Sequence, residues 1–305
     1  MCLWAGSETW DYDTLILTGR AAGLQDMFMN LRIEDDFDLG KIADSGQCFR
    51  FNLCETDGES ARYRVLAGDR FMYIRSLGGD EYELSCPEDE YENFWKNYFD
   101  LNLSYKGIRE RIDKEEDPYL FAASEFGRGI RILRQDPWEM LISFIISQRK
   151  NIPAIKASIE KLCALAGDKI GEEKSYGDIF SFPTPDRLAA LSMEQLKSCS
   201  LGYRDRYVHR AALDVASGAA DLEGFKNLSD EELMEKLLSF CGVGVKVANC
   251  EVLFGYHRLD AFPRDVWINR VLEVRYPNGF LFDRYAPYNG VMQQYLFFYS
   301  RMGQL

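Results

Sequence analysis

Short runs of alternating apolar and polar residues fill the first third of the chain and predict an antiparallel sheet. Clear examples are residues 63–67, 70–75 and 81–85, which turns rich in glycine and aspartate separate. When apolar and polar residues alternate along a strand, all the apolar side chains lie on one face, which packs on a core. We therefore expect a β-rich meander between about residues 30 and 90.

From about residue 90 the apolar positions recur with the helical period, and capping residues mark several helix starts. Asp136 is followed by proline, a pair typical of an N-cap and the first helical position. Ser229 begins a capping box. We expect Asp265 to cap a helix over residues 266–274. We also expect a C-terminal helix over residues 290–300.

The change of period divides the chain into three parts. We place an irregular N-terminal extension at residues 1–28, a β-rich domain at 29–125 and a helical domain at 126–305. The predicted fold class is α+β, an antiparallel β-sheet domain followed by an all-α domain. A chain of 305 residues is long enough to form two hydrophobic cores.

Charge is distributed unevenly along the chain. The net charge of −13 argues against a nucleic-acid partner, because phosphate binding favours a basic surface. Residues 126–275, however, carry 21 Lys+Arg and 21 Asp+Glu, so the acidity lies elsewhere. A DNA contact in this neutral part would depend on backbone amides and a few arginines, and its non-specific affinity would be weak.

Composition also sets expectations about location and cofactors. No apolar run approaches the length of a membrane span and no secretory signal is found, so we expect no membrane partner and a cytoplasmic location. The eight cysteines include no C-x-x-C pair, which favours reduced thiols. Because no cysteine follows Cys250, we expect no C-terminal iron–sulfur cluster. No cofactor is expected to be required.

The candidate chemistry lies between residues 237 and 265. An apolar helical run ends in Gly242-Val243-Gly244, and a second apolar helix then begins with Lys246. Glycines permit φ > 0 and a close approach of the backbone to another surface, and amides at a helix start bind anions. Taken alone, this pattern also fits a helix–turn–helix corner with a solvated lysine.

Lys246 and Asp265 together suggest attack on a carbon that becomes cationic. A partly desolvated lysine forms Schiff bases with carbonyl-like carbons. A carboxylate at a nearby helix start could stabilise positive charge beside it. The C1′ atom of a glycosidic bond becomes cationic as its leaving group departs, and it fits this description.

Four motifs resemble those of the 8-oxoguanine DNA glycosylase family, within the helix–hairpin–helix Gly/Pro-Asp DNA glycosylase superfamily. They are S-G-Q-C-F-R-F from Ser45, L-R-Q-D-P-W-E from Leu133, L-G-Y-R-D-R-Y from Leu201, and G-V-G-V-K from Gly242 with the later Pro263-Arg264-Asp265. The lysine form of the last motif marks bifunctional members. The resemblance runs from about residue 36 to 305. It implies a base-excision-repair enzyme that flips 8-oxoguanine out of duplex DNA, removes it and cleaves the strand by β-elimination.

The resemblance also implies the catalytic roles. Lys246 would attack C1′ of the flipped nucleotide and form the Schiff base. Asp265 would orient Lys246 and stabilise the developing positive charge. The hairpin backbone around Gly242 and Gly244 would hold a phosphate, in this superfamily often together with a monovalent cation bound by hairpin carbonyls.

The base pocket and the DNA contacts are implied in the same way. Cys250 and Phe297 would lie on the two faces of the base, Gln293 at its Watson–Crick edge, and the Gly46 carbonyl would accept the N7–H that only the oxidised guanine carries. The partner would be double-stranded DNA with an oxidised base, bound by a monomer that is nucleoid-associated in a prokaryote. The DNA-binding residues would be Gln148, Arg149, Asn151, Tyr203, Arg204, Gly242, Val243, Gly244 and Trp267.

Three positions depart from the family pattern. Arg149 stands where an asparagine usually fills the gap left by the flipped base, although Gln148 is also a candidate for that role. Ala154 replaces a second arginine that reads the opposite cytosine, so the resemblance does not establish the preferred opposite base. Trp267 replaces a histidine placed against phosphate, and its indole N–H could still donate.

Three other interpretations stay open. The chain could be a superfamily glycosylase for alkylated or other oxidised bases. It could be a non-catalytic helix–hairpin–helix DNA-binding protein, which would need neither Lys246 nor Asp265. The acidic net charge would suit a protein–protein interaction module.

Overall fold

The computed structural model describes residues 15–16, 28–57, 60–173 and 177–304. Most of the predicted N-terminal extension lies outside the described residues. The part of the extension that is described includes Leu15–Ile16, which form the short strand β1. Among the described residues, no helix combines the length and the apolar character needed to cross a membrane.

Five antiparallel strands form the main sheet, which confirms the predicted meander. They are β2 (Met29–Arg32), β3 (Phe51–Asp57), β4 (Ser60–Ala67), β5 (Arg70–Gly78) and β6 (Glu81–Leu84). Their order across the sheet is β2-β6-β5-β4-β3. Gly68, with φ of +60°, makes the tight turn between β4 and β5.

The sheet shares a hydrophobic core with the helical segments that flank it. Helix α1 (Leu39–Asp44) precedes β3. After β6 a continuous helical segment consists of α2 (Glu88–Glu90), a π-helical turn (Tyr91–Trp95) and α3 (Lys96–Tyr98). The side chains at the centre of this core are fully buried and include Phe51, Val65, Met72, Ile74 and Trp95.

The rest of the chain is largely helical, so the α+β fold class is confirmed. Its helices are α4 (Tyr105–Arg109), α5 (Pro118–Phe126), α6 (Pro137–Ser147), α7 (Ile152–Ala166), α8 (Pro185–Ala189), α9 (Met193–Ser198), α10 (Asp205–Ala216), α11 (Asp230–Leu238), α12 (Val245–Phe254), α13 (Val266–Arg275), α14 (Phe282–Tyr285) and α15 (Asn289–Arg301).

The predicted caps lie where the sequence places them. Asp136 caps α6 by accepting a hydrogen bond from the amide of Glu139 at 2.8 Å. Ser229 and Glu232 form both hydrogen bonds of a capping box at α11. The C-terminal helix α15 packs against α5, and Phe126 contacts Phe298 with ring centroids 5.7 Å apart. The predicted domain boundary at residues 125/126 falls at the end of α5 and stays a prediction.

One hairpin inside the helical part was not expected from the sequence. Strands β7 (Lys169–Glu173) and β8 (Gly177–Phe180) pair with each other, and β1 pairs with β7. Their sequences are rich in charge and lack apolar alternation. The hairpin is held by contacts with the main sheet instead, because Glu173 accepts a hydrogen bond from the Tyr73 hydroxyl at 2.7 Å.

Two of the sequence motifs meet where the sheet joins the helices. Buried Gln47 accepts a hydrogen bond from the Leu133 amide at 2.8 Å and donates to the Arg131 carbonyl at 2.7 Å. Gln135 donates to the Gln47 carbonyl at 3.0 Å. Because an unpartnered buried amide is costly, these bonds fix the position of the neighbouring Gly46.

Candidate active site

The hairpin between α11 and α12 uses its two glycines differently. Gly242 has φ of +82°, and a Cβ there would lie 2.4 Å from the ring of Tyr207, so both conformation and packing require glycine. Gly244 has φ of −100°, and a Cβ there would meet no heavy atom within 4 Å. The expectation of φ > 0 is therefore confirmed for Gly242 and wrong for Gly244, which instead occupies the N-cap position of α12.

Lys246 lies in the first turn of α12 against an aromatic wall. Its Nζ is 5.2 Å from the centroid of the Phe144 ring, within the range of a cation–π contact. Phe144 stacks on Phe254 at 5.5 Å and meets the edge of Phe49 at 5.6 Å. The amine is half-buried and is surrounded in part by apolar groups.

Asp265 is the N-cap of α13, as predicted. Its Oδ1 accepts a hydrogen bond from the Ile268 amide at 2.9 Å. Within the described residues it forms no ion pair with Lys246, since their nitrogen and oxygen atoms lie more than 4.0 Å apart. The carboxylate is thus fixed by the helix start and not by an ion pair with the lysine.

Cys250 lies near both charged groups, because each of them acts on the pKa of its thiol. Burial raises the pKa of its thiol, the charge and hydrogen bond of Lys246 oppose that rise, and the charge of Asp265 adds to it. Only 3% of Cys250 is exposed. Since the pKa lies above its ordinary value, the thiol is neutral at neutral pH and offers an uncharged, polarizable surface.

Helix α15 carries the two remaining candidate pocket residues, Gln293 and Phe297. The ring of Phe297 lies 3.2 Å from where a Cβ on Gly46 would be, so the two residues face each other across a narrow gap. Buried Gln293 donates to the Pro263 carbonyl at 3.1 Å and accepts from Gln294 at 3.0 Å. It therefore ties α15 to the segment that leads into Asp265, and contact with a base stays a prediction.

The loop after α6 gives the two candidates for the gap-filling residue, Gln148 and Arg149, different environments. Gln148 donates to the carbonyls of Gly242 at 3.0 Å and Ile145 at 3.2 Å, so its side chain braces the hairpin. Arg149 is exposed and has φ of +51°, an unfavourable backbone conformation for this residue type. Asn151 caps α7 through the Ala154 amide at 2.9 Å.

A second loop carries Tyr203 and Arg204. Tyr203 is 43% exposed, whereas Arg204 is only 6% exposed and lies over the Tyr203 ring at 4.4 Å. The Arg204 guanidinium donates to the carbonyls of Leu201 and Gln148. Arg204 thus supports Tyr203 and links the two loops, and it could read an opposite base only after it leaves these partners.

Apolar side chains are exposed where α12 and α13 begin. Val245 is 66% exposed, Val266 is 77% exposed and Trp267 is 37% exposed. Such side chains are normally buried, so their exposure beside two helix N-termini marks an interaction surface. Buried Val243 forms the base of the hairpin.

Three residues near the site were missed by the sequence reasoning as functional positions. Phe144 carries no signal because it reads as one more apolar residue of α6. Lys150 donates to the Ser200 carbonyl at 2.7 Å and so forms another link between the two loops. Arg301 contacts Phe297, and its position one helical turn later could have revealed it.

Two family models together match residues 30–277. The first, 8-oxoguanine DNA glycosylase, N-terminal domain, matches residues 30–141. The second, HhH-GPD superfamily base excision DNA repair protein, matches residues 142–277. The main sheet lies within the first match except for Met29, and both Lys246 and Asp265 lie within the second.

Individual proteins are similar over most of their length. The N-glycosylase/DNA lyase of Saccharomyces cerevisiae is 32% identical over 258 residues, which cover 78% of this chain and 68% of that protein. The probable N-glycosylase/DNA lyase of Methanothermobacter thermautotrophicus is 30% identical over 304 residues, which cover 88% of this chain and 95% of that protein. A solved structure of Clostridium acetobutylicum 8-oxoguanine glycosylase/lyase, in complex with dsDNA containing cytosine opposite to 8-oxoG, has a TM-score of 0.80 at 33% identity. It covers 92% of this chain and 100% of that one.

Proposed function

Because this chain belongs to the 8-oxoguanine DNA glycosylase family, it is a base-excision-repair DNA glycosylase with lyase activity, and we propose that Lys246 and Asp265 perform both steps on 8-oxoguanine. The observation that carries this assignment is the grouping of Lys246, Cys250 and Asp265. Lys246 is half-buried against an aromatic ring, the Cys250 thiol is neutral, Asp265 is fixed by its helix, and both charged residues act on the pKa of Cys250.

The first step breaks the glycosidic bond. The neutral form of Lys246 attacks C1′, the bond from C1′ to N9 breaks, and its electron pair leaves with the base, which then takes up a proton. Positive charge develops at C1′ and the ring oxygen as the bond lengthens. Asp265, held by the Ile268 amide, stabilises that charge electrostatically.

The second step cleaves the strand. The amine on C1′ loses a proton, the bond from C1′ to the ring oxygen breaks, and that oxygen takes up a proton, which leaves an iminium between Lys246 and C1′ of the opened sugar. Removal of a proton from C2′ then expels the 3′ phosphate by β-elimination. Hydrolysis of the imine returns the free amine, so the lysine is regenerated and no external cofactor is consumed.

The pocket for the flipped base would lie between Cys250 and Phe297. Both present uncharged surfaces suited to stacking, and a neutral thiol avoids a charge against the ring. Gly46 faces Phe297, and among the described residues no backbone or side-chain group donates to its carbonyl. That carbonyl is free to accept the N7–H of 8-oxoguanine, which guanine lacks.

Double-stranded DNA with an oxidised base is the proposed partner, bound by a monomer in the cytoplasm. The exposed side chains beside the pocket, Arg149, Tyr203 and Trp267, would enter or flank the helix where the base is removed. The double-stranded DNA in the complex of the similar Clostridium acetobutylicum protein supports this choice of partner. The hairpin amides would receive a phosphate.

A monovalent cation at the hairpin is part of the same proposal. Among the described residues, no group donates a hydrogen bond to the carbonyls of Cys241 and Val243. Uncommitted carbonyl oxygens are suitable ligands for such an ion, and they would hold it beside the DNA phosphate. The ion would neutralise phosphate charge and take no part in bond breaking.

The proposed function is tested with a labelled duplex that holds one 8-oxoguanine. Wild type should release free 8-oxoguanine and nick the strand, and it should leave the matching guanine duplex intact. In Lys246→Gln both activities should fall by at least about 10³-fold. Lys236→Gln, which changes an exposed residue of α11, should retain both activities. Equal activity of Lys246→Gln and wild type would refute the assignment of the nucleophile, and activity on alkylated bases alone would point to a different glycosylase.

A further inference from the structure

Arg301 is a half-buried cation with one nitrogen, Nη1, that the fold leaves without a hydrogen-bond partner. It ends α15, one turn after Phe297, and its guanidinium carbon lies 5.7 Å from the centroid of that ring. Its Nη1 is shielded from solvent and has no hydrogen-bond partner among the described residues. An unsatisfied buried donor of this kind is uncommon in proteins.

The surroundings of Arg301 do not compensate its charge. Burial lowers the pKa of Arg301, and the charge of Asp44 opposes that shift. Within the described part of the chain, no carboxylate oxygen lies within 4.0 Å of its guanidinium nitrogens. The fold thus keeps a guanidinium partly desolvated, and a ligand that accepts its free N–H would relieve this cost.

The free nitrogen lies beside Gly46. Arg301 Nη1 is 3.9 Å from the position of a Cβ on Gly46, and the Phe297 ring is 3.2 Å from the same position. The backbone of Gly46, the ring of Phe297 and the guanidinium therefore converge on one small region. This region combines a stacking surface and an N–H donor beside Gly46, the residue whose carbonyl is the proposed acceptor.

The chemistry of the proposed substrate matches this set of groups. In 8-oxoguanine the N7–H is flanked by two carbonyl oxygens, O6 and O8, so this edge presents acceptor, donor and acceptor. A single carbonyl such as that of Gly46 pairs only with the central donor. The flanking oxygens require N–H donors, and a guanidinium is a strong one.

We propose that Arg301 is a specificity-determining residue of the base pocket, whose Nη1 donates a hydrogen bond to a carbonyl oxygen flanking N7 of the flipped base. The inference rests on the proposed function, since it needs an oxidised guanine in the pocket. The contact is charge-assisted and forms in a partly desolvated region. Its loss should lower base excision on the order of 10- to 100-fold.

Arg301→Met tests the inference, because methionine keeps an unbranched apolar stem against Phe297 and removes the donor. Single-turnover release of 8-oxoguanine is compared with cleavage of a preformed abasic site, a substrate that has no base to recognise. We expect excision to fall on the order of 10- to 100-fold and abasic-site cleavage to fall far less. Arg301→Lys, which keeps the charge without the fork geometry, should show an intermediate loss.

Arg111→Met is the matched control. Arg111 also lies over an aromatic ring, that of Tyr288 at 4.8 Å, at the opposite end of α15. The Arg111→Met variant should excise 8-oxoguanine at the same rate as wild type. Unchanged excision in Arg301→Met, or an equal fall in both of its activities, would overturn the inference. A wild type that cleaves the abasic duplex but releases no 8-oxoguanine would refute the proposed function, and the inference with it.

Discussion

At the scale of single residues, Asp265 combines a structural and a chemical role that substitution can separate. Asparagine is as good an N-cap as aspartate, whereas alanine costs a helix about 1 kcal/mol. We expect Asp265→Asn to keep the thermal stability of wild type and to lower base excision by about 10²–10⁴-fold, because the stabilising charge is lost. Thermal melting and single-turnover excision measure the two effects. Excision at the wild-type rate in Asp265→Asn would show that the carboxylate acts only as a cap.

Arg149 offers a test of backbone strain at a functional position. Its φ of +51° is unfavourable for arginine but well tolerated by asparagine, the residue usual at this position in the family. Arg149→Asn should raise the free energy of unfolding by up to ~1 kcal/mol. It should also change the relative excision rates with cytosine, adenine or thymine opposite the lesion. Urea unfolding and the three excision rates check this, and unchanged ratios would exclude Arg149 from the gap.

Single residues also show what the sequence could reveal about the site. Lys246 and Asp265 were predicted from a local motif and Cys250 from the family resemblance, and both charged residues act on the pKa of the Cys250 thiol. The buried state of Arg204 and the bracing role of Gln148 could not be predicted, since both depend on contacts between distant loops. Arg301 could have been found from its position one helical turn after Phe297, but its approach to Gly46 depends on the fold.

At the scale of elements, the α11–α12 hairpin provides a paired test. A Cβ on Gly242 would lie 2.4 Å from Tyr207, whereas one on Gly244 would meet nothing within 4 Å. Gly242→Ala should therefore lower the free energy of unfolding by about 1–3 kcal/mol. Gly244→Ala should leave it nearly unchanged, and any loss should lie in DNA affinity. Equal destabilisation by both changes would contradict this account of the hairpin.

Elements with strong local signals were predictable and those without were not. Caps fixed the starts of α6, α11 and α13 because a side-chain oxygen there satisfies a free backbone amide. The β7–β8 hairpin was missed because its residues are mostly charged or glycine and its stability comes from contacts with the main sheet. The local sequence contains no trace of those contacts.

At the scale of the whole molecule, Glu139 connects the helices to the sheet and should make stability depend on pH. Burial raises the pKa of its carboxyl to about 7, the charge of Arg50 opposes this, and the Gly68 amide donates to it at 3.0 Å. A raised carboxyl pKa means that the folded state binds the proton more tightly. This contribution to stability is therefore complete below the unfolded pKa and is lost as pH rises toward 7.

Glu139→Gln should remove that dependence. The amide can still accept from the Gly68 N–H but does not ionise. Near pH 5 the variant and wild type should have similar free energies of unfolding, and near pH 8 the variant should be more stable. Urea unfolding at both values measures this, and a wild type whose advantage over the variant grows with pH would contradict it.

The charge of the whole chain sets an expectation for DNA binding. A net charge of −13 with a neutral region around the site implies few phosphate contacts. The logarithm of the association constant should fall with the logarithm of salt concentration at a slope shallower than about −5. Fluorescence anisotropy over a salt series measures this slope. A steeper slope would contradict the expectation and would indicate a basic DNA-binding surface despite the acidic net charge.

The central claim is that Lys246 forms a covalent imine with the sugar of the excised nucleotide. Borohydride reduces such an imine to a stable amine, so incubation with the 8-oxoguanine duplex and borohydride should yield a protein–DNA adduct. Peptide mapping should place the adduct on Lys246, and Lys246→Gln should give none. An adduct on another residue, or release of 8-oxoguanine without any adduct, would contradict the claim.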